Sequence, residues 1–296
     1  MSSEFWIIQT FNGLSYGALL FLLASGLSLI FGVMRVVNLA HGSYFMLGGY
    51  VGLSIVWLTS SRQAPSTTIW SFTSAVLAGA VAIGLIGIGM ERLFLRRLPG
   101  QTLGQVLMTI GFALIFQDLA LLIWGGDPYS IPVPRFLQGA VKAGALSFPA
   151  YRIFIIVVAV VVAALLWLAL DQTRAGARIR AAVDDGEMAQ GVGINVPVLS
   201  LAVFALGACL AAAGGVIGGA FLGVYPGADF EVLPYAFVVV IVGGLGSLPG
   251  AMVGSLLVGL LDNFGKALFP ELSYFTLFAP MALILALRPT GLFGRA

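Results

Sequence analysis

Chemistry needs reactive side chains brought together, and this chain offers few. Its 296 residues include one histidine, His41, and one cysteine, Cys209. A metal centre or an activated nucleophile draws on several such groups, so a membrane enzyme is a remote reading. The chain also lacks a P-loop. Its one Gly-Lys pair, Gly265-Lys266, is followed by Ala267 where a hydroxyl residue is needed, and Leu260 stands where the first glycine belongs. An ATP-driven process would have to draw on another polypeptide, with ATP and magnesium held there and no cofactor on this chain.

Polar residues gather in three places. The first is Asn38-Leu-Ala-His41-Gly42-Ser43, between two apolar runs. Polar groups at a glycine break predict a broken or re-entrant helix, which a bilayer tolerates only where protein or a water-filled cavity satisfies the freed backbone. Asn38, His41 and Gly42 either complete a structural junction or line and gate a pathway. The second is Gly243-Gly244-Leu-Gly246-Ser247-Leu-Pro249-Gly250. The apolar run before it, about 12 residues from Leu233, reaches about 18 Å against a hydrocarbon core of about 30 Å. Two breaks, one in each half, are the pattern of a midplane site between repeats; two kinked helices at a packing contact are the alternative.

The third place is the segment 171–197, which contains Arg174, Arg178, Arg180, Asp184, Asp185, Glu187 and Met188. Asp184 with Glu187 has capping-box spacing, and Gly191 and Gly193 supply a stop. A helix of about two turns is expected from Asp184, followed by a new helix opened by Asn195 and Pro197. Such a helix is either an inert connector or a docking element for a partner protein. Two more acids, Asp118 and Asp262, fall inside apolar runs. Each should be paired, cavity-facing or neutral, because a buried acid costs about 2.5–3.5 kcal/mol on insertion scales.

The elements that position these residues are membrane spans. Hydrophobic residues make up 60% of the chain and charged residues 9%, against about 25% charged in soluble proteins. A soluble domain could not cover its surface with so few polar groups. A disulfide scaffold needs more than one cysteine, and a net charge of +2 is too small to suggest nucleic acid. Continuous apolar runs favour helices over alternating strands. The expected architecture is an all-α polytopic membrane protein of about eight or nine spans, forming one transmembrane domain over residues 1–296. Spans are placed at 8–33, 43–58, 72–91, 104–124, 152–170, 198–222, 233–246, 250–268 and 274–288. The first reads as a retained span, being too long for a signal peptide and lacking a basic start.

Assigning the loop with Arg174–Arg180 to the cytoplasm places Arg35, Arg92, Arg96, Arg97, Arg174, Arg178, Arg180, Arg288 and Arg295 inside. Arg62, Arg135, Lys142, Arg152 and Lys266 then lie outside, a bias of nine to five. The expected N-terminus is outside and the C-terminus inside. Prolines at 128, 132 and 134 stiffen the outer loop Gly125–Ala150. Gly207, Ala211, Gly215, Gly219 and Gly223 recur every four residues, a small-residue packing face for this subunit or a second one.

Taken together, the 171–197 loop resembles the cytoplasmic loop of bacterial ABC permeases for branched-chain amino acids, and more loosely that of ribose-type sugar permeases. Gly32-Val-Met-Arg35-Val-Val-Asn38-Leu-Ala-His41-Gly42, Glu91-Arg92-Leu-Phe-Leu-Arg96, the Gly243–Gly250 stretch and Arg288-Pro-Thr-Gly-Leu-Phe-Gly294 also fit that family, most closely its H-type branch. The resemblance implies an inner-membrane importer subunit working by alternating access with a second homologous permease, two ABC ATPase subunits and a periplasmic binding protein. It casts 184–193 as the coupling helix, with Arg178 and Arg180 reaching ATPase acids or anionic lipid. Members of the family carry leucine-type amino acids, urea, short amides or aromatic acids. They commonly have Asn where Asp118 stands, so Asp118 bears on substrate preference or merely faces water. Gly186 and Gly191 replace bulkier residues and make the coupling helix less stable alone. A stand-alone secondary transporter is the rival reading; its coupling-ion ligands would have to come from Asp118, Asp262 and His41.

Overall fold

In the computed structural model the described residues are 2–60, 67–144 and 146–294. Arg62 and Arg295 of the charge count lie outside them. The helices are α1 (Ser3–Met34), α2 (His41–Thr59), α3 (Ile69–Leu93), α4 (Thr102–Trp124), α5 (Ala150–Gln172), α6 (Arg174–Asp184), α7 (Gly186–Gly191), α8 (Val196–Gly219), α9 (Ala228–Gly243), α10 (Leu248–Leu268) and α11 (Ser273–Leu287). Each of the nine expected spans coincides with one of these helices, with ends within five residues. Seven are long and apolar enough to cross a membrane. The other two, α9 and α11, have 16 and 15 residues, about 24 and 22 Å, and fall short of the hydrocarbon thickness. The chain is an all-α polytopic membrane protein. Its one sheet among the described residues is a hairpin, β1 (Ala140–Ala143) against β2 (Leu146–Pro149).

Local chemistry explains the helix starts. Asn195 accepts a hydrogen bond from the Val198 N–H at 3.1 Å, with Pro197 in the first turn of α8. Ser247 accepts from the Gly250 N–H at 3.1 Å, with Pro249 in the first turn of α10. A side-chain acceptor fills an orphan donor at each start, and the proline occupies a position that has no intrahelical N–H bond to lose.

The core is built on α1, of whose most apolar stretch 78% is buried. Small residues let its neighbours approach: a Cβ at Gly13 would lie 2.9 Å from Leu260 Cα, and one at Gly17 2.7 Å from the Ser255 oxygen. The small-residue face of α8 turns inward too. Gly207 meets Gly26 and Ile30 of α1, Gly215 meets Phe45 and Gly49 of α2, and Gly219 meets Ile131 and Val224. The stripe therefore packs within the subunit, and Gly223 lies past the helix end in the left-handed region (φ +88°). On the periphery, α4 and α5 bury only 22% and 17% of their apolar stretches, which suits helices facing lipid tails or a partner.

The loop after α4 is fixed to the loop after α8. Tyr129 and Val224 exchange both backbone hydrogen bonds at 2.8 Å, and the Ile131 N–H donates to the Gly219 oxygen. Trp57, Trp124 and Tyr129 gather at this end. At the opposite end lie the C-terminal turn of α1, α6, α7 and the break 244–247.

Candidate coupling and translocation site

At that opposite end, the segment 171–197 folds into two helices where one was expected. The first, α6, contains Arg178 and Arg180 and ends on Asp184. Asp185, not Asp184, caps α7: its backbone is extended, and its carboxylate accepts from the N–H groups of Glu187 (3.0 Å) and Met188 (2.9 Å). Adjacent acids offer two capping registers, and α6 decides between them by extending through Asp184. The Asp185 N–H is bonded to the Ala181 oxygen, so Glu187 does not complete a capping box there. The helix is also shorter than two turns, with six residues. Its stop is as expected: Gly193 has φ +89°, and the Ile194 N–H reaches back to the Ala189 oxygen at 2.9 Å.

This short helix presents apolar side chains outward. Met188 is 64% exposed and Val192 71%, while Ala189 is buried. Arg178 and Arg180 differ in place. Arg178 is exposed; Arg180 turns back to the end of α5, donating to the Leu170 carbonyl and pairing with Asp171 at 3.3 Å.

Two cavities lie beneath. One of about 730 Å³ is lined by the end of α1, Trp167, Asp171, Arg180, Asp184, the second break from Leu245 to Pro249, and Phe293. Another of about 690 Å³ lies between Arg35 and the acids Asp184, Asp185 and Glu187. Gly246 and Ser247 thus share a cavity with α6. The second break is held by close backbone contacts. A Cβ on Gly32 would lie 3.1 Å from Gly246 Cα, and Gly244 and Gly246 take φ +109° and +77°. The C-terminal stretch docks here as well: the N–H groups of Leu292 and Phe293 donate to the oxygens of Val242 and Gly243 at 2.9 Å. Three stretches quoted for the family resemblance, distant in sequence, meet at this point.

The first break sits elsewhere. After Arg35, in the left-handed region (φ 53°), the chain runs non-helically to Ala40 and α2 starts at His41. Asn38, His41 and Ser43 are completely buried. Asn38 accepts from the Ala40 N–H (3.1 Å), the Leu39 N–H donates to Thr109 Oγ1 (3.2 Å), and His41 Nε2 lies 2.9 Å from the Leu23 carbonyl. Asn38, His41 and Gly42 line neither cavity. The first break meets the start of α9, not the second break: Ser43 donates to Asp229 Oδ2 at 2.7 Å, and a Cβ on Gly42 would lie 2.5 Å from the Asp229 carbonyl oxygen.

Three acids are buried among the described residues: Glu91, Asp229 and Asp262. Glu91 is clamped bidentately by Arg96 at 3.1 and 2.9 Å, and Arg96 also donates to the Pro197 carbonyl, tying α3 to α8. Asp262 accepts from Lys266 (2.8 Å) and Tyr235 (3.2 Å), as the expectation of a paired acid required. Asp118 is exposed on α4. Asp229 escaped the sequence reading, which began the span at 233. The available signal was an acid two residues after Gly227, in the first turn of a helix.

The chain is similar to known transport permeases along its length. The description "Branched-chain amino acid transport system / permease component" matches residues 9–287. The high-affinity branched-chain amino acid transport system permease protein BraD of Pseudomonas aeruginosa is 30% identical over 296 residues, covering 98% of this chain and 96% of its own length. The corresponding permease protein LivH of Escherichia coli K12 is 30% identical, covering 100% and 98%. The ribose import permease protein RbsC of Escherichia coli K12 is 25% identical, covering 96% and 86%. No solved structure matches the chain. A polytopic all-α chain that lies along such relatives from end to end belongs to the branched-chain amino acid transport permease family.

Proposed function

We propose that this chain is a membrane-spanning subunit of an ABC importer in a bacterial inner membrane, carrying branched-chain amino acids inward. It works with a second, homologous permease subunit, two ABC ATPase subunits that hold ATP and magnesium, and a periplasmic binding protein that delivers substrate. The observation that carries this reading is α7. A six-residue helix with its own cap presents Met188, and Val192 just past its end, to solvent beside the cavity between Arg35 and the loop acids. An exposed apolar tip on a polar loop suits insertion into a partner's cleft, and an unbranched Met adapts as the partner moves. Arg178 is free to reach partner acids or lipid headgroups, whereas Arg180 serves the loop's own attachment to α5.

The orientation follows from the same proposal, with α6 and α7 cytoplasmic. A cysteine introduced by Gln190→Cys in a Cys209→Ala background should resist a membrane-impermeant thiol reagent added from the periplasmic side. Ready labelling from that side would overturn the topology. Substrate class is tested by reconstituting the full assembly and measuring ATP-dependent leucine uptake.

A further inference from the structure

Of the three buried acids, Glu91 and Asp262 have both carboxylate oxygens bonded to donors, each including a cation. Asp229 differs. Its Oδ2 accepts from Ser43, its Oδ1 has no partner among the described residues, and the residue is 2% exposed. Nearby polar atoms are orphaned too. Tyr50 Oη, two turns along α2 from Ser43, has no partner, nor has His41 Nδ1, and both residues are completely buried. Buried polar atoms left unpaired are costly, so a cluster of them points to a group that binds there.

The position fits a zwitterion. Asp229 sits in the first turn of α9 and bonds the first turn of α2. Two helix N-termini, each carrying positive partial charge, therefore converge on one carboxylate. Half-helix N-termini meeting near the midplane are how some transporters recognise an anionic substrate group. Depth agrees. Trp124, at the end of α4, donates to Ser54, which is 11 residues along α2 from Ser43, about 16 Å. That is near the middle of a core about 30 Å thick.

We infer that Asp229, with Tyr50 and the N-terminal turns of α2 and α9, holds a zwitterionic amino acid midway across the membrane, the carboxylate taking its ammonium group. This rests on the proposed amino-acid transport. The Ser43–Asp229 bond closes the site in the present conformation, and α9 must part from α2 to open it. The other end of α9 packs on the break beside α6, so one element touches both places.

The test uses the complete transporter in proteoliposomes with leucine as probe. Asp229→Asn should lower uptake about tenfold or more, the size of one lost charge-assisted hydrogen bond. ATPase stimulation by leucine-loaded binding protein should stay near wild type. Asp262→Asn, at the buried acid paired with Lys266 outside this site, should keep uptake per assembled transporter. Wild-type uptake by Asp229→Asn overturns the inference, and so does equal loss in both variants, the mark of a general cost of neutralising a buried acid. Should Asp229→Asn fail to assemble, carbodiimide labelling of Asp229 in the wild-type complex during turnover decides. Protection by leucine supports the site, and labelling indifferent to leucine overturns it. Absence of ATP-dependent leucine uptake in the wild type would instead overturn the proposed function.

Discussion

The two breaks look alike in sequence, each a glycine-containing polar stretch before a helix, yet they are built differently. The first, 35–40, is closed by side chains: Asn38 turns on its own backbone, His41 reaches Leu23, and Ser43 reaches Asp229. The second, 244–247, is closed by backbone on backbone, with Gly243 against Gly250, Gly32 against Gly246, and the C-terminal stretch bonded across it. A side-chain junction can open by exchanging hydrogen-bond partners. Beyond the Ser247 cap and the Ser28 hydroxyl on the Ser247 carbonyl, the glycine junction has no side-chain bond to exchange and moves as a packed unit. The first suits a place where a polar ligand passes, the second a place where force from the loop helices is received.

This contrast can be broken by mutation, and the largest effect belongs to the glycine junction. A Cβ at Gly243 would lie 2.9 Å from the Ala251 nitrogen and meet the Gly250 carbonyl still more closely. Overpacking there should cost about 1–3 kcal/mol or more, so Gly243→Val should sharply reduce membrane abundance in a quantitative immunoblot. Abundance equal to wild type would mean that the break is looser than its contacts imply.

Next is Met188→Arg at the exposed tip of α7. It should leave abundance normal, abolish leucine uptake, and leave ATPase activity unresponsive to loaded binding protein, because an unpaired charge in a partner's cleft is strongly unfavourable. Uptake at the wild-type level would remove Met188 from the coupling contact.

A smaller effect is expected at the side-chain junction. Asn38→Ala removes the acceptor for the buried Ala40 N–H, at about 1–3 kcal/mol. It should lower the midpoint of thermal unfolding of the purified complex while uptake per folded molecule persists. The smallest separates the two adjacent acids. Asp185→Ala should cost about 0.5–2 kcal/mol of cap stability and speed amide exchange at Glu187 and Met188. Asp184→Ala should not, since the Asp184 carboxylate does not cap α7.

Much of the fold was legible because apolar runs of about 20 residues admit few other readings. The Asn195–Pro197 and Ser247–Pro249 helix starts and the Gly193 stop were legible from residue type alone. Capping at the loop was half legible: spacing offered Asp184 to Glu187, but the choice of register rests on α6, whose Ala175, Ile179, Ala182 and Val183 recur at helical spacing and were the missed signal of a helix running through to Asp184. The Asp262–Lys266 pair was within reach, since its i, i+4 spacing prints it on one helix face. The Ser43–Asp229 bond was not, because 186 residues separate its ends and no local pattern encodes which helix starts will meet. For the same reason the two breaks read as one site, although tertiary packing sends each to a different partner.

The central claim is that this chain moves a branched-chain amino acid only as part of an ATP-driven assembly. Its most direct test is leucine uptake into proteoliposomes containing this chain, the second permease and the ATPases, with loaded binding protein outside and ATP on the ATPase side. The account predicts accumulation that requires every component and ceases when the ATPases are omitted. Leucine accumulation by this chain alone, driven by an ion gradient and indifferent to ATP, would contradict it.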